Sequence, residues 1–267
     1  MMLPREPLLQ GSRLRAGLEP LLDLADEVLR TWQPGWSPFL SAPLQNEALA
    51  RFSSLTELRW DREGGYPAAE RCRLRCQRSG GEPTEKSSPS LATDVPIHGL
   101  SVEGNFLFDP LSPADMHQAL EGMGVEEGML GDIWIRGDRG AQLLCTPEAA
   151  ALLDGRRGVV RDVEILCESM APEALQLPAL RAVKRLSSVE ASCRLDAIAS
   201  AGFGLSRSKV SQQIRAGKLR LNWEPVRQAS RDLQVGDCLQ LQDRGSVEVL
   251  SLTLTKRDRW RVDMERR

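Results

Sequence analysis

The sequence predicts an α+β protein built in three parts. These are an N-terminal α/β domain, a middle domain of order βαββαβ, and a C-terminal module of two helices followed by a hairpin. Three observations lead there. The chain has 267 residues, more than a single core usually serves, so two or three domains are expected. A stretch rich in Ser, Pro, Gly and Glu at 78–94 separates two patterned segments and reads as a flexible linker. The spacing of apolar residues alternates between helical and strand periods in the order these parts need.

Within 1–77, Leu14 to Arg30 carries apolar residues at 14, 18, 21, 22, 25, 28 and 29, the stripe of an amphipathic helix. Pro34 and Pro38 break the pattern. Leu44 to Phe52 predicts a second helix, Leu55 to Trp60 a strand, and Arg71 to Gln77 a return strand. The turn between the strands contains Gly64-Gly65-Tyr66-Pro67, which reads as a tight turn with Tyr66 packed beneath it and Glu70 paired to Arg71, a ligand site being the alternative. Cys72 and Cys76 lack a second pair of ligands, so they read as reduced thiols rather than a zinc site.

Segment 95–186 is the middle domain. Ile97 to Val102 predicts a strand. Ser112 caps a helix that has Pro113 at its first position and Asp115 in its first turn. Ile133–Arg136 and Ala141–Cys145 are strands around the Gly137–Gly140 turn, Thr146-Pro147-Glu148 opens a helix, and Val159–Leu166 is the last strand. The order βαββαβ is that of a ferredoxin-like fold, as in RRM domains. The aromatic residues by which an RRM sheet stacks bases are missing, and Trp134 reads as core. The domain is therefore expected to be a scaffold or a protein contact. Leu180 to Leu186, with Arg181, Lys184 and Arg185, links it to the last part.

In 187–267, Arg194 to Ala201 forms a helix with Leu195, Ile198 and Ala199 inward. Ser206 caps a second helix. At about 100° per residue, Val210 and Ile214 share the buried face. Ser208, Gln212 and Arg215 lie opposite, Lys209 flanks them, and Arg207 sits nearer the core edge. Gly217 ends the helix in a left-handed conformation. Lys218 and Arg220 then alternate with Leu219 and Leu221, so both cations leave the next strand on one side.

Charge agrees with this layout. Ser192 to Arg267 holds 15 Lys and Arg against 9 Asp and Glu, net +6, while the preceding 191 residues are net −8. A basic end on an acidic body concentrates affinity for phosphate near the C-terminus. The exposed groups of the second helix and the next strand are the ones placed to meet phosphate. The cations supply salt-sensitive affinity and the polar groups orientation. Little is placed to read base edges, so shape is the expected target.

Arg194-Leu195-Asp196, Ser206-Arg207-Ser208, Ile214, Gly217, Leu219, Leu221-Asn222 and Gly236-Asp237 resemble the S4 RNA-binding domain. Trp223 stands where most members have Gly, which offers a stacking surface. Further upstream, Gly64 to Arg71, Gly104-Asn105-Phe106-Leu107-Phe108-Asp109-Pro110, Gly131-Asp132-Ile133 and Gly140-Ala141-Gln142 resemble the YlmH-type family. Val189 to Ser200, with Asn222-Trp223, is similar to its cyanobacterial branch, the photosystem II S4 domain proteins. The resemblance implies an N-terminal domain, an RRM-like middle domain and a C-terminal S4 domain with the basic helix pair as RNA contact, which by position makes Arg194, Arg207, Ser208, Lys209, Gln212, Arg215, Lys218 and Arg220 the candidate RNA-binding residues. It also implies partners: rRNA, peptidyl-tRNA and the large ribosomal subunit, in quality control of stalled ribosomes.

Other chemistries lack their residues. No apolar run reaches the ~18 residues that cross a bilayer, and the start lacks the apolar stretch of a secretory signal. The six cysteines, irregularly spaced, read as cytosolic thiols, and the expected location is cytoplasmic. His98 and His117 are far apart, no Ser/His/Asp or Cys/His set stands out, and Glu126-Glu127 reads as solvated charge. Gly122-Met123-Gly124 ends a helix instead of forming a nucleotide loop. No metal, cofactor, small-molecule substrate, pigment site or membrane contact is expected. The leading expectation is a non-catalytic RNA-binding protein of the ribosome. Two alternatives stay open: an RNA-modifying enzyme acting through the middle domain, and an adaptor in photosystem II biogenesis acting through protein contacts.

Overall fold

The computed structural model describes residues 3–79, 95–179, 182–241 and 244–267. The chain divides into two compact units, Met1–Pro178 and Ala179–Arg267. Most of the expected linker, from residue 80 to 94, lies outside the described residues.

The first unit begins with α1 (Arg5–Leu9), α2 (Arg15–Thr31), β1 (Gly35–Trp36), α3 (Ala42–Phe52), β2 (Leu58–Glu63) and β3 (Arg73–Arg78). The helix α1 has no counterpart in the sequence reading; five residues are too few to show a period. Leu8 and Leu9 join the buried stripe of α2, Leu18, Leu21, Leu22, Ala25 and Val28. At about 2 kcal/mol for each large apolar side chain taken from water, this stripe holds the helices together. The strands form a three-stranded antiparallel sheet in the order β1-β3-β2. The strand β2 starts three residues later than expected, because a turn closes with Leu58 N–H donating to Leu55 C=O at 3.0 Å.

Next come β4 (His98–Gly104), α4 (Pro113–Gly122), β5 (Leu130–Ile135), β6 (Gly140–Cys145), α5 (Pro147–Leu153), β7 (Arg157–Val160) and β8 (Val163–Met170). The antiparallel sheet runs β5-β6-β4-β8-β7. Without β7 this is the predicted ferredoxin-like order. The expected strand Val159–Leu166 is instead two strands, because the chain reverses at Arg161, whose φ is 54°. The cap at α4 is a full capping box. The Ser112 Oγ accepts from Asp115 N–H at 3.2 Å, and the Asp115 carboxylate accepts from Ser112 N–H at 3.0 Å.

One face of this sheet packs on Met116, Leu120, Ala149 and Leu153 of the helices. The opposite face is covered as well: Leu144 and Ile97 meet Phe39 and Leu175, with Tyr66 and Trp134 at the margin. Strand β6 is consequently buried at every position. The indole of Trp134 donates to Gln176 C=O at 3.0 Å and meets Tyr66 edge-on, with centroids 6.2 Å apart. Trp134, expected in the core, is instead half-buried at the margin of this cluster.

The two glycine-rich motifs meet in space. The loop after Gly64-Gly65 lies on Gly131-Asp132, and Arg71 N–H donates to Asp132 Oδ1 at 2.8 Å. The expected Glu70–Arg71 pair is replaced by other partners for the guanidinium. Arg71 reaches Leu130 C=O at 2.9 Å, Glu127 C=O at 3.1 Å and the Glu127 carboxylate at 3.4 Å. Glu127, expected to be solvated charge, is therefore an ion-pair partner, although it stays largely exposed. Gly65 has φ +83°, and a Cβ there would stand 2.9 Å from Leu144 Cδ1, so only glycine fits under this loop.

The second unit contains β9 (Lys184–Glu190), α6 (Leu195–Phe203), α7 (Arg207–Arg215), β10 (Leu219–Leu221), β11 (Glu224–Pro225), β12 (Cys238–Leu241), β13 (Gly245–Leu254) and β14 (Trp260–Arg266). The sheet is antiparallel in the order β11-β10-β12-β13-β14-β9. Lys184 to Leu186, expected in the segment before this module, instead starts β9, with Leu186 opposite Met264. Leu195, Ile198, Ala199 and Phe203 of α6 and Val210 and Ile214 of α7 pack on Leu219, Leu239, Val247 and Val262.

Candidate nucleic-acid interface

The second helix exists for local reasons. Ser206 accepts from Lys209 N–H at 3.3 Å, which satisfies one of the first-turn donors. At the other end Gly217 takes φ +69°, and Lys218 N–H closes on Gln213 C=O at 3.0 Å. Between these signals Val210 and Ile214 are buried, while Arg207, Ser208, Lys209, Gln212 and Arg215 are exposed. Lys218 and Arg220 are exposed on either side of buried Leu219. Arg194 is exposed at the start of α6. All eight predicted residues thus reach solvent in this unit.

The six cations differ in availability. Arg194 spans Asp196 with two contacts, Nε to Oδ1 at 3.1 Å and Nη2 to Oδ2 at 3.2 Å. Arg207 reaches Glu190 at 3.5 Å. Lys209, Arg215, Lys218 and Arg220 have no ion pair within 4.0 Å among the described residues, so their charge faces water. The two helix starts differ in the same way. At α6, Leu195 N–H and Asp196 N–H donate to Arg231 C=O at 2.8 Å and Ala229 C=O at 3.0 Å, so its own chain occupies that end. The start of α7 carries only the Ser206 cap and sits among cations, where the helix dipole adds positive potential. The open region is therefore α7 and the strand after it.

Two exposed cations escaped the sequence reading. Arg227 and Arg231 lie in the loop that closes the start of α6. That loop has no apolar period, so only the bonds from Leu195 and Asp196 reveal its position.

The β10–β11 turn settles the departure at Trp223. Asn222 has φ 50° and Trp223 φ 68°, with Leu221 opposite Glu224. This is a two-residue type I′ turn, which normally takes Asn-Gly. Asn222 is locked: its Nδ2 donates to Asp237 at 2.8 Å and its Oδ1 accepts from Cys238 N–H at 2.8 Å. Trp223 is half-buried.

Among the described residues no group of three or more His, Cys, Asp or Glu side chains is placed to hold a metal ion. Burial pushes the thiol of Cys76 up to about 12 and that of Cys72 to about 11, so both stay protonated and unreactive at neutral pH. No helix among the described residues is long and apolar enough to cross a membrane.

Comparison with known proteins finds matches in two parts of the chain. Residues 14–80 match the model described as YlmH, N-terminal, and residues 193–238 match that of the S4 domain. The chain is 26% identical over 204 residues to the "Ribosome-associated protein quality control protein P2" of Bacillus subtilis (strain 168), covering 76% of each chain. A solved structure, "Cell division protein ylmH from Streptococcus pneumoniae", superposes with a TM-score of 0.45 at 16% identity, covering 59% of this chain and 90% of that one. The chain is thus similar to YlmH-type proteins in its N-terminal part, and its residues 193–238 match the S4 domain.

Proposed function

We propose that this YlmH-like S4 domain protein binds structured rRNA and tRNA on the large ribosomal subunit, in the cytoplasm, and does no chemistry on them. The observation that carries the proposal is the set of four exposed cations without an ion pair among the described residues, Lys209 in the first turn of α7, Arg215 at its end, and Lys218 and Arg220 on the strand that follows. Phosphate charge in a folded RNA matches such a surface, and with little placed to read base edges the target is RNA shape. The name of the Bacillus relative, which places that protein on the ribosome, supports the same reading. The contacts assigned are Arg194, Arg207, Ser208, Lys209, Gln212, Arg215, Lys218 and Arg220. Co-sedimentation with purified large subunits tests it. Wild-type protein is expected in the particle fraction and the Lys209→Glu, Arg215→Glu double variant in the supernatant. Unchanged co-sedimentation of the double variant contradicts the proposal.

A second reading, contact with protein, rests on one loop. Leu107 and Phe108 are 58% and 93% exposed. The loop is braced: Phe106 N–H donates to Asp138 C=O at 2.8 Å, and Arg161 bonds Pro110 C=O at 2.8 Å. A rigid loop that holds an aromatic ring in water suits insertion into a partner's pocket. A Phe108→Ser variant that keeps its affinity for naked RNA but leaves the subunit fraction supports this reading. Full retention on the subunit counts against it.

A further inference from the structure

The strands β13 and β14 lie beyond the residues that match the S4 domain, 193–238, and they extend its sheet. Their connection is Thr255-Lys256-Arg257-Asp258-Arg259. This turn is tightly built. Thr255 N–H donates to Arg259 C=O at 2.7 Å, Asp258 N–H to Thr255 C=O at 3.1 Å, and Arg259 N–H to Thr255 Oγ1 at 3.2 Å. Asp258 takes φ 52° to close it. Lys256, Arg257 and Arg259 are all exposed, and none has an ion pair within 4.0 Å among the described residues. Three cations are therefore displayed on a rigid tip, at low conformational cost to a ligand.

The tip is placed next to the surface already described. Arg207, the first residue of α7, reaches Glu190 at 3.5 Å, and Glu190 stands directly opposite Trp260 in the β9–β14 ladder. Trp260 is the first residue of β14, opposite Leu254, the last of β13. The turn thus leaves the sheet at the end where α7 begins. Its apex, Arg257, is three residues past Trp260, so it projects beyond the sheet by less than the roughly 10 Å that three extended residues would span. Between the cations of α7 and those of this projection stands the Arg207–Glu190 ion pair.

We propose that the β13–β14 turn is a second phosphate-contact site, through Lys256, Arg257 and Arg259, for the same structured RNA that lies on α7. This rests on the RNA-binding reading above and gives it a second anchor point. Two anchors at one end of the sheet favour an RNA helix long enough to touch both over a short single strand.

The probe is a fluorescently labelled RNA duplex of about 20 base pairs, longer than the ~16 that a compact reader of double-stranded RNA spans. Its binding is titrated between about 50 and 200 mM salt. The Lys256→Gln, Arg257→Gln, Arg259→Gln variant is expected to lower the slope of log K against log salt by up to about 2.7. At the low-salt end its affinity should fall roughly tenfold. A charge-keeping variant, Lys256→Arg, Arg257→Lys, Arg259→Lys, should retain both slope and affinity. If wild-type protein binds the duplex and the glutamine variant binds it with unchanged slope and affinity, the turn is not a phosphate contact, and the α7 surface stands alone. If the charge-keeping variant loses binding equally, the tip acts through its fold, and this proposal fails. If wild-type protein does not bind the duplex at any salt, the RNA-binding reading itself falls, and the tip proposal falls with it.

Discussion

The hydroxyl of Tyr66 donates to Asp132 Oδ2 at 2.7 Å, across 66 residues of sequence. The same carboxylate accepts from Glu70 N–H and Arg71 N–H, each at 2.8 Å. One acid thus ties the Gly-Gly-Tyr loop to the edge of the middle sheet. Burial, and then the adjacent Asp132 charge, hold the phenol far from ionisation, so Tyr66 remains a donor at any physiological pH.

Asp132→Ala strips three donors of their acceptor and should lower stability by about 2 to 3 kcal/mol. Tyr66→Phe removes only one donor and should lower it by about 1 kcal/mol. Urea denaturation of both variants measures this. A negligible loss for Asp132→Ala would mean that water replaces the carboxylate.

The capping box at α4 makes a pH prediction. The Ser112 hydroxyl, followed by its backbone N–H, holds the Asp115 carboxyl below its ordinary value. A carboxyl that titrates lower when folded stabilises above its unfolded pKa, about 3.9, and that contribution fades as pH falls through the folded value. Wild type should therefore be more stable than Asp115→Asn at neutral pH, and the two should converge below about pH 4. Ser112→Ala should lower stability by about 1 kcal/mol at neutral pH. Thermal melts across pH decide it, and a constant gap down to low pH is the opposing result.

Trp223 occupies a left-handed position that glycine adopts without strain. Trp223→Gly should therefore stabilise the C-terminal unit by up to about 1 kcal/mol, less whatever the half-buried ring contributes. If the ring also stacks on RNA, the same variant loses affinity while gaining stability. Calorimetry and RNA titration on one sample separate the two effects, and destabilisation would show that the ring's packing outweighs the turn.

The pair Arg207–Glu190 holds one cation back from the RNA surface. Arg207 is 53% exposed, so breaking the pair should change stability by less than about 1 kcal/mol. Glu190→Gln should instead tighten RNA binding and steepen its salt dependence by up to about 1 in slope. Weaker binding by this variant would show that Glu190 positions Arg207 for its contact.

How much of this the sequence reveals depends on the range of the interaction. The bounds of α7 are legible because Ser206 and Gly217 act within a few residues. The ferredoxin-like order is legible because each helix there has a Pro after its cap and each strand a dense apolar run. The strand β9 is not, because only Leu186 of its seven residues packs on the core, and its partner β14 lies more than 70 residues away. The Asp132 clamp and the burial of both faces of β6 escape for the same reason, since Phe39 and Tyr66 arrive from the N-terminal elements. Within the candidate site, exposure followed from helical period. The pairing of Arg194 and Arg207 with acids did not, because Glu190 is brought to Arg207 by the fold.

The most direct measurement is the salt dependence of RNA binding by wild type and by the Lys209→Gln, Arg215→Gln, Lys218→Gln, Arg220→Gln variant. Four phosphate contacts should give these residues a share of about 3 in the slope of log K against log salt, and the variant should lose it together with most of its low-salt affinity. A variant that folds like wild type and binds the same RNA with the same slope would contradict the assignment of this surface.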